Sequence, residues 1–181
     1  MKRFTTLFLF GLLLATTALA EKVEGVIIDN NDSTIHVVFK IPVSFFSGEI
    51  DFEKLQGKVK YYDVHNKKVT IRPDQVKEIR FRYQFEDIRM ISVDDKIGLG
   101  SFFSASTKIF LQILMDGKLK VFRYYYTQHT AGSFNGTTGM MTPGFAYSAD
   151  RYILQKGEGE LKRPRSLFFR KDMVEYFSDC P

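Results

Sequence analysis

Lys108–Tyr126, KIFLQILMDGKLKVFRYYY, is two apolar runs joined by Met115-Asp116-Gly117. Asp-Gly between two β-rich runs is a strong short-range hairpin signal. Two registers compete. A two-residue loop turns on Asp116 and Gly117 alone; it sets Ile113 opposite Lys120 and Leu111 opposite Phe122, which mixes lysines into the apolar face. A three-residue loop runs a type I turn over Leu114–Gly117, with Gly117 in the left-handed bulge position. It sets Ile113 opposite Leu119 and Leu111 opposite Val121. One face then reads Ile109, Leu111, Ile113, Leu119 and Val121; the other carries Lys108, Gln112, Lys118 and Lys120 with Phe110, Leu114 and Phe122. A slip of one residue turns every side chain over, so the cleaner face decides. The three-residue loop with Gly117 at positive φ is the expectation. Phe110, Phe122 and Tyr124 imply that the second face is partly covered as well.

Strands continue on both sides. Lys22–Ile28 and Thr34–Ile41 flank the turn composition of Asn30-Asn31-Asp32-Ser33, and Pro42 ends the second run. Ser44–Leu55 is a loop with aromatic anchors and a short helical turn near Phe52–Leu55. Lys58–Val64 and Lys68–Arg72 form a hairpin about His65-Asn66-Lys67, and Pro73–Val76 turns the chain again. In Glu78–Tyr83, Ile79, Phe81 and Tyr83 alternate with Arg80 and Arg82, the pattern of a half-exposed strand. Asp87–Val93 breaks phase between Met90 and Ile91, which predicts a bulge or a change of face. Residues 127–150 hold Gly132, Gly136, Gly139 and Gly144 among many Ser and Thr, and read as a long mobile hairpin insertion. Arg151–Lys156 and Glu160–Lys162 make a last hairpin over Gly157-Glu158-Gly159. Ser166 can cap a helix over Leu167–Phe177, whose apolar stripe is expected to pack on the sheet. The fold class is therefore mostly β: an antiparallel meander in a single barrel-like or sandwich domain with one C-terminal helix.

Residues 1–20 read as an export signal: Lys2 and Arg3, an apolar centre over Leu7–Ala15, then Ala18-Leu19-Ala20, with cleavage expected near Ala20. The apolar part is too short to span a bilayer as a helix. The expected location is periplasmic or extracellular, with residues 21–181 as one domain. The formal net charge of +5 falls to +3 once Lys2 and Arg3 are removed. So mild a charge, on an exported chain, argues against a nucleic-acid partner. The single cysteine, Cys180, has no partner within the chain, so packing must hold the fold and an intermolecular disulfide is the remaining oxidised form. With 18 Phe and 9 Tyr, aromatic burial is the obvious source of stability.

Chemistry-bearing motifs are sparse. His36, His65 and His129 fall on a strand, a turn and the Gly-rich segment, in no metal spacing. There is no GxSxG, and Gly100-Ser101 lacks the elbow spacing. No glycine pattern cradles a phosphate, so neither cofactor nor metal is expected. The visible acid pairs, Asp94-Asp95, Glu49/Asp51 and Glu158/Glu160, are the candidates for glycoside hydrolysis. Lys162-Arg163-Pro164-Arg165 with Arg170 and Lys171 makes a basic patch. Phe134, Met140, Met141, Phe145 and Tyr147 give the 127–150 segment an adaptable contact surface. Tyr124-Tyr125-Tyr126 alternates across a strand, so Tyr124 and Tyr126 share one side.

GVIIDNNDSTI (Gly25–Ile35), TIRPDQVKEIRF (Thr70–Phe81), FLQILMDGKLKVFRYY (Phe110–Tyr125), YILQKGEGELKRP (Tyr152–Pro164) and VEYFSDCP (Val174–Pro181) occur in an order that resembles a group of exported, uncharacterised β-rich proteins common in the Bacteroidetes. Ile71–Val76 departs from that group's Tyr-x-Pro-x-Glu-Ile turn. The resemblance implies compartment and fold class and carries no site. The expected function is a non-enzymatic binding or interaction module of the bacterial cell envelope. Its ligand-binding residues would be Tyr124, Tyr126, Phe134, Met140, Met141, Phe145 and Tyr147, and its ligand a small molecule, a polysaccharide or another envelope partner. The alternatives are a carboxylate-dependent hydrolase acting on a glycan or cell-wall substrate, and an assembly protein that docks through a sheet edge or helix.

Overall fold

A computed structural model describes residues 20–44, 47–99, 107–137, 139–165 and 169–178. The elements are β1 (Ala20–Asp29), β2 (Thr34–Pro42), α1 (Phe52–Gly57), β3 (Val59–Tyr62), β4 (Lys68–Ile71), β5 (Val76–Tyr83), β6 (Glu86–Asp94), β7 (Lys108–Met115), β8 (Leu119–His129), β9 (Ser133–Asn135), β10 (Met140–Thr142), β11 (Ala146–Lys156) and α2 (Phe169–Phe177). Nine strands form one antiparallel sheet in the order β11-β8-β7-β6-β5-β1-β2-β3-β4, and β9 pairs with β10 alone. The sheet is open: β11 and β4 are its edges.

The turns form for local reasons. Asp29 accepts from the Asn31 and Ser33 amides at 2.8 Å each, and Asp63 accepts from the His65 and Lys67 amides. These are Asx turns that close β1–β2 and β3–β4. Asp51 caps α1 by accepting from Lys54 N at 3.2 Å. Only four residues link β4 to β5, although three strands lie between them in the sheet. Five Cα steps reach at most about 18 Å, whereas four strand spacings in a flat sheet measure about 19 Å. This half of the sheet must curl. The Pro73 carbonyl in the link accepts from the Ser92 hydroxyl, and Asn30 donates to the Gln75 carbonyl at 3.2 Å.

The two halves bury opposite faces. In the curled half, Ile27, Phe39, Ile41, Val59, Ile79, Phe81, Ile88 and Met90 form one core with Leu55 of α1. In the other half, Val93, Ile109, Leu111, Ile113, Phe122 and Ile153 form a second core under Leu99 and Leu161. β6 and β7 lie at the change-over. The phase break between Met90 and Ile91 is a change of face and not a bulge, since the β5–β6 register runs without a shift from Glu78↔Ile91 to Tyr83↔Glu86. Residues 109–113 of β7 are all buried, because this strand is covered on both sides.

The central hairpin corrects the expected register. Ile113 pairs with Phe122 and Gln112 with Arg123, and the ladder shifts between Ile113 and Met115. Gly117 is not among the residues at positive φ. The irregularity at Leu114 lets Phe122, fully buried, join Ile113 on the second core's face. Lys120 shares that face and escapes by reaching Glu158 at 3.0 Å. Helix α2 also departs from expectation. Val174 is 67 % exposed and Phe177 40 %, whereas Met173 and Tyr176 are half-buried, so only part of its apolar stripe is covered. Polar contacts tie it down as well: the Arg165 guanidinium and amide both donate to Asp172, and Lys162 Nζ lies 5.0 Å over the Tyr176 ring. The expected export signal, the expected Ser166 cap, Cys180 and the Gly100-Ser101 pair fall outside the described residues, apart from Ala20, which opens β1.

Candidate functional site

β8 and β11 pair along their full eleven residues, from Ala146↔His129 to Lys156↔Leu119. The segment 127–150, expected as a mobile hairpin insertion, is largely the far half of this hairpin, with β9–β10 as its tip. Its glycines serve close approach. A side chain at Gly144 would run into the Thr130 carbonyl and come within 2.8 Å of the Gly132 amide. Thr130 and Phe145 exchange backbone and hydroxyl hydrogen bonds across the same point.

Beyond Arg123 the β7–β8 ladder ends, and α1 fills the gap. Gln56, 4 % exposed, donates from Nε2 to the Tyr125 carbonyl at 2.8 Å and accepts from the Tyr125 amide at 2.7 Å. It thereby replaces the lost strand neighbour. Phe52 stacks on the Tyr125 ring at 4.4 Å, and Thr127 donates to Glu53. β8 and β11 therefore leave the sheet as a two-stranded arm gripped at its base by a helix.

Alternation sorts the arm's side chains. Tyr125 faces α1. Phe122, Tyr124 and Tyr126 face the other way, beside their partners Ile153, Arg151 and Ala149. Tyr147 and Phe145 follow on the same side, their rings 6.1 Å apart. The second core thus runs outward along one face, from buried Phe122 and Ile153 to Tyr147 and Phe145, which are 42 % and 63 % exposed. Tyr124 and Tyr126 stack at 5.9 Å, and the Arg151 guanidinium lies 4.0 Å over the Tyr126 ring. The Tyr124 hydroxyl donates to the Leu99 carbonyl, and burial pushes the Tyr124 and Tyr125 phenols above the usual range. Met140 and Met141 stand 72 % and 78 % exposed on β10; the backbone of Phe134 pairs with Met141.

Of the seven residues expected to bind, the fold brings Tyr124, Tyr126, Phe145 and Tyr147 onto one face and puts Met140 and Met141 at the tip. The sequence reading missed Arg151, whose Nε is shielded from water without a hydrogen-bond partner. Its signal was available: Tyr147, Ala149, Arg151 and Ile153 keep the period of a strand once Ala146–Lys156 is taken as continuous.

The remaining chemistry is dispersed. His36, His65 and His129 are all exposed, and the described residues hold no group of three or more metal-ligating side chains. Asp51 caps α1, and Asp95 accepts from the Leu99 amide at 2.7 Å. A cleft of about 340 Å³ on the second core's face has Phe122 and Leu161 in its lining and carries Asp94, Glu158 and Glu160 with Lys96, Lys108 and Lys120. There Glu158 engages Lys120 at 3.0 Å and Asp94 lies 4.0 Å from Lys108. Lys162, Arg163 and Arg165 are exposed, with Arg165 bound to Asp172. No helix among the described residues is long and apolar enough to cross a membrane. No family model, curated protein or solved structure matches the chain.

Proposed function

We propose that this chain is an exported binding module of the bacterial cell envelope, of the β-rich group its motifs resemble, and that it engages a protein partner through the far half of the β8–β11 arm. The observation that carries this reading is the placement of Met140, Met141, Phe145 and Tyr147, all exposed, at the end of one element. Large apolar side chains that gather at one place on a surface mark contact sites, and methionine with aromatic rings makes an adaptable one. Among the described residues the far half of the arm is two strands wide with its large side chains exposed, which favours a macromolecular partner over a small molecule.

The test is photo-crosslinking in the cell that makes the chain, with a photoreactive residue at Met141 or Phe145. Phe85 and Val64, exposed at 93 % and 91 % on other turns, serve as controls. One discrete adduct from the arm positions and none from the controls is the expected result. Equal labelling from all four positions sinks the proposal.

A second reading attaches to the cleft, where acids from two of the candidate pairs share one lining: a carboxylate-dependent hydrolase acting on a glycan. Asp94 and Glu158 lie against lysines there, which ranks it below the arm. Release of reducing ends from cell-wall glycan, lost in Asp94→Asn and Glu158→Gln, would promote it.

A further inference from the structure

We propose that two copies of this chain join edge to edge through β11, antiparallel about a two-fold axis at Ala149, so that their arms form one four-stranded ribbon. The starting observation is an asymmetry between the sheet's two edges. β4 is four residues long and opens with Lys68, a short and charged edge of the kind that resists pairing. β11 is eleven residues long.

The direction of the β11 backbone groups follows from one bridge. Leu154 donates to the Lys162 carbonyl at 2.9 Å and accepts from its amide at 2.7 Å, so Leu154 points its backbone groups away from β8. Alternation along an antiparallel strand then aims those of Tyr152, Asp150, Ser148 and Ala146 outward too. None of these four residues bonds outward to another described residue. The open window is Ala146–Tyr152, bounded by Lys162 at one end and by Pro143-Gly144 at the other.

That window is self-complementary about its own centre. A two-fold axis at Ala149 sets Ser148 opposite Asp150 of the second copy and Ala146 opposite Tyr152, so outward groups meet outward groups. An axis at Asp150 would set carboxylate on carboxylate, and an axis at Arg151 guanidinium on guanidinium, each destabilising across a ladder. With the axis at Ala149, Tyr147 faces Arg151 of the second copy, and the reverse. This gives Arg151, whose Nε has no partner, a second ring beside Tyr126. The axis itself falls on a pair that exchanges no backbone bonds, where strands run closest, and alanine is small enough for it. One strand pair is a small interface, so the dimer belongs in the micromolar range. Once both β11 edges are used, the sheet keeps its four-residue β4 edge and the arm only the short stretch of β8 beyond Tyr125, so further growth is disfavoured.

Sedimentation velocity of the exported, purified full chain, over low to high micromolar concentrations, is the first test. The expected result is a reversible monomer–dimer equilibrium. Ser148→Pro removes an outward amide and leaves the β8 ladder intact; it should raise the dissociation constant about tenfold or more. The register is read by oxidation in a Cys180→Ser background. Ala149→Cys should form a covalent dimer, whereas Ser148→Cys, which faces Asp150 of the second copy, should not. A wild-type chain that stays monomeric throughout overturns the proposal. So does Ala149→Cys that crosslinks no faster than Ser148→Cys.

Discussion

Gln56 stands in for a strand, and the cost of removing it can be worked from its contacts. Its amide fills both backbone groups of Tyr125 where β8 has lost β7, and Phe52 stacks over the same residue. Gln56→Ala leaves one N–H and one C=O without partners in a site only 4 % open to solvent. A buried unsatisfied group costs about 1–3 kcal/mol. Two of them, partly relieved by water entering the vacated space, come to about 3 kcal/mol. For a chain of this size that lowers Tm by about 6–12 °C. Gln56→Glu separates the hydrogen bonds from the side chain's volume. A carboxylate accepts from the Tyr125 amide but sets a second oxygen against its carbonyl; protonation restores the donor. The folded-state pKa of that glutamate is therefore raised. Its favourable contribution is present below the unfolded glutamate pKa and disappears as pH rises through the folded value. Circular-dichroism melts of both variants across acidic to neutral pH read this directly. A Gln56→Ala melt within about 2 °C of wild type, or a Gln56→Glu deficit that does not change with pH, refutes the view that Gln56 closes the β8 ladder.

Other perturbations test the rest of the fold. At Gly25 an added Cβ would meet the Arg80 carbonyl and lie 2.7 Å from the Phe39 ring, with rigid neighbours on both sides; Gly25→Ala should cost about 1–3 kcal/mol or more in urea unfolding. Burial pushes the Glu78 carboxyl up, but hydrogen bonds and charge from Arg80 and Arg89 outweigh it and hold the pKa below its ordinary value. A lowered folded-state pKa stabilises above the unfolded value and is lost as pH falls through the folded one. Glu78→Gln should therefore cost about 1.5–3 kcal/mol at neutral pH, with the gap to wild type closing as the medium turns acidic. Asp172, held by the Arg165 side chain and then its amide, should titrate at about 2; NMR should find it back toward the ordinary aspartate range in Arg165→Ala.

What the sequence made legible depended on how many faces a strand buries. β5 declared itself because Ile79 and Phe81 bury while Arg80 and Arg82 do not, and β6 announced its change of face at Met90-Ile91. The central hairpin was misread because lysine was treated as excluded from an apolar face. Lys120 lies on that face with its side chain only 24 % exposed and its charge on Glu158, so the rule that chose the register overpriced it. The Gly-rich segment was legible as a hairpin, though not the length over which its strands pair. Glycine signals flexibility and close approach equally well, and at Gly132 and Gly144 it is close approach that the arm requires. Nothing local foretold the part played by Gln56, because its partner lies 69 residues away.

On the proposed function, the apparent size of this chain in native cell extracts decides whether the arm is a contact surface. Met140, Met141, Phe145 and Tyr147 are exposed, so replacing all four by serine should leave folding within about 0.5 kcal/mol per site. Blue-native electrophoresis of wild type against that variant, both at native expression, should find the wild-type chain in a larger complex and the variant released as free chain or its dimer. A variant that comigrates with wild type in the larger complex contradicts the assignment of the arm.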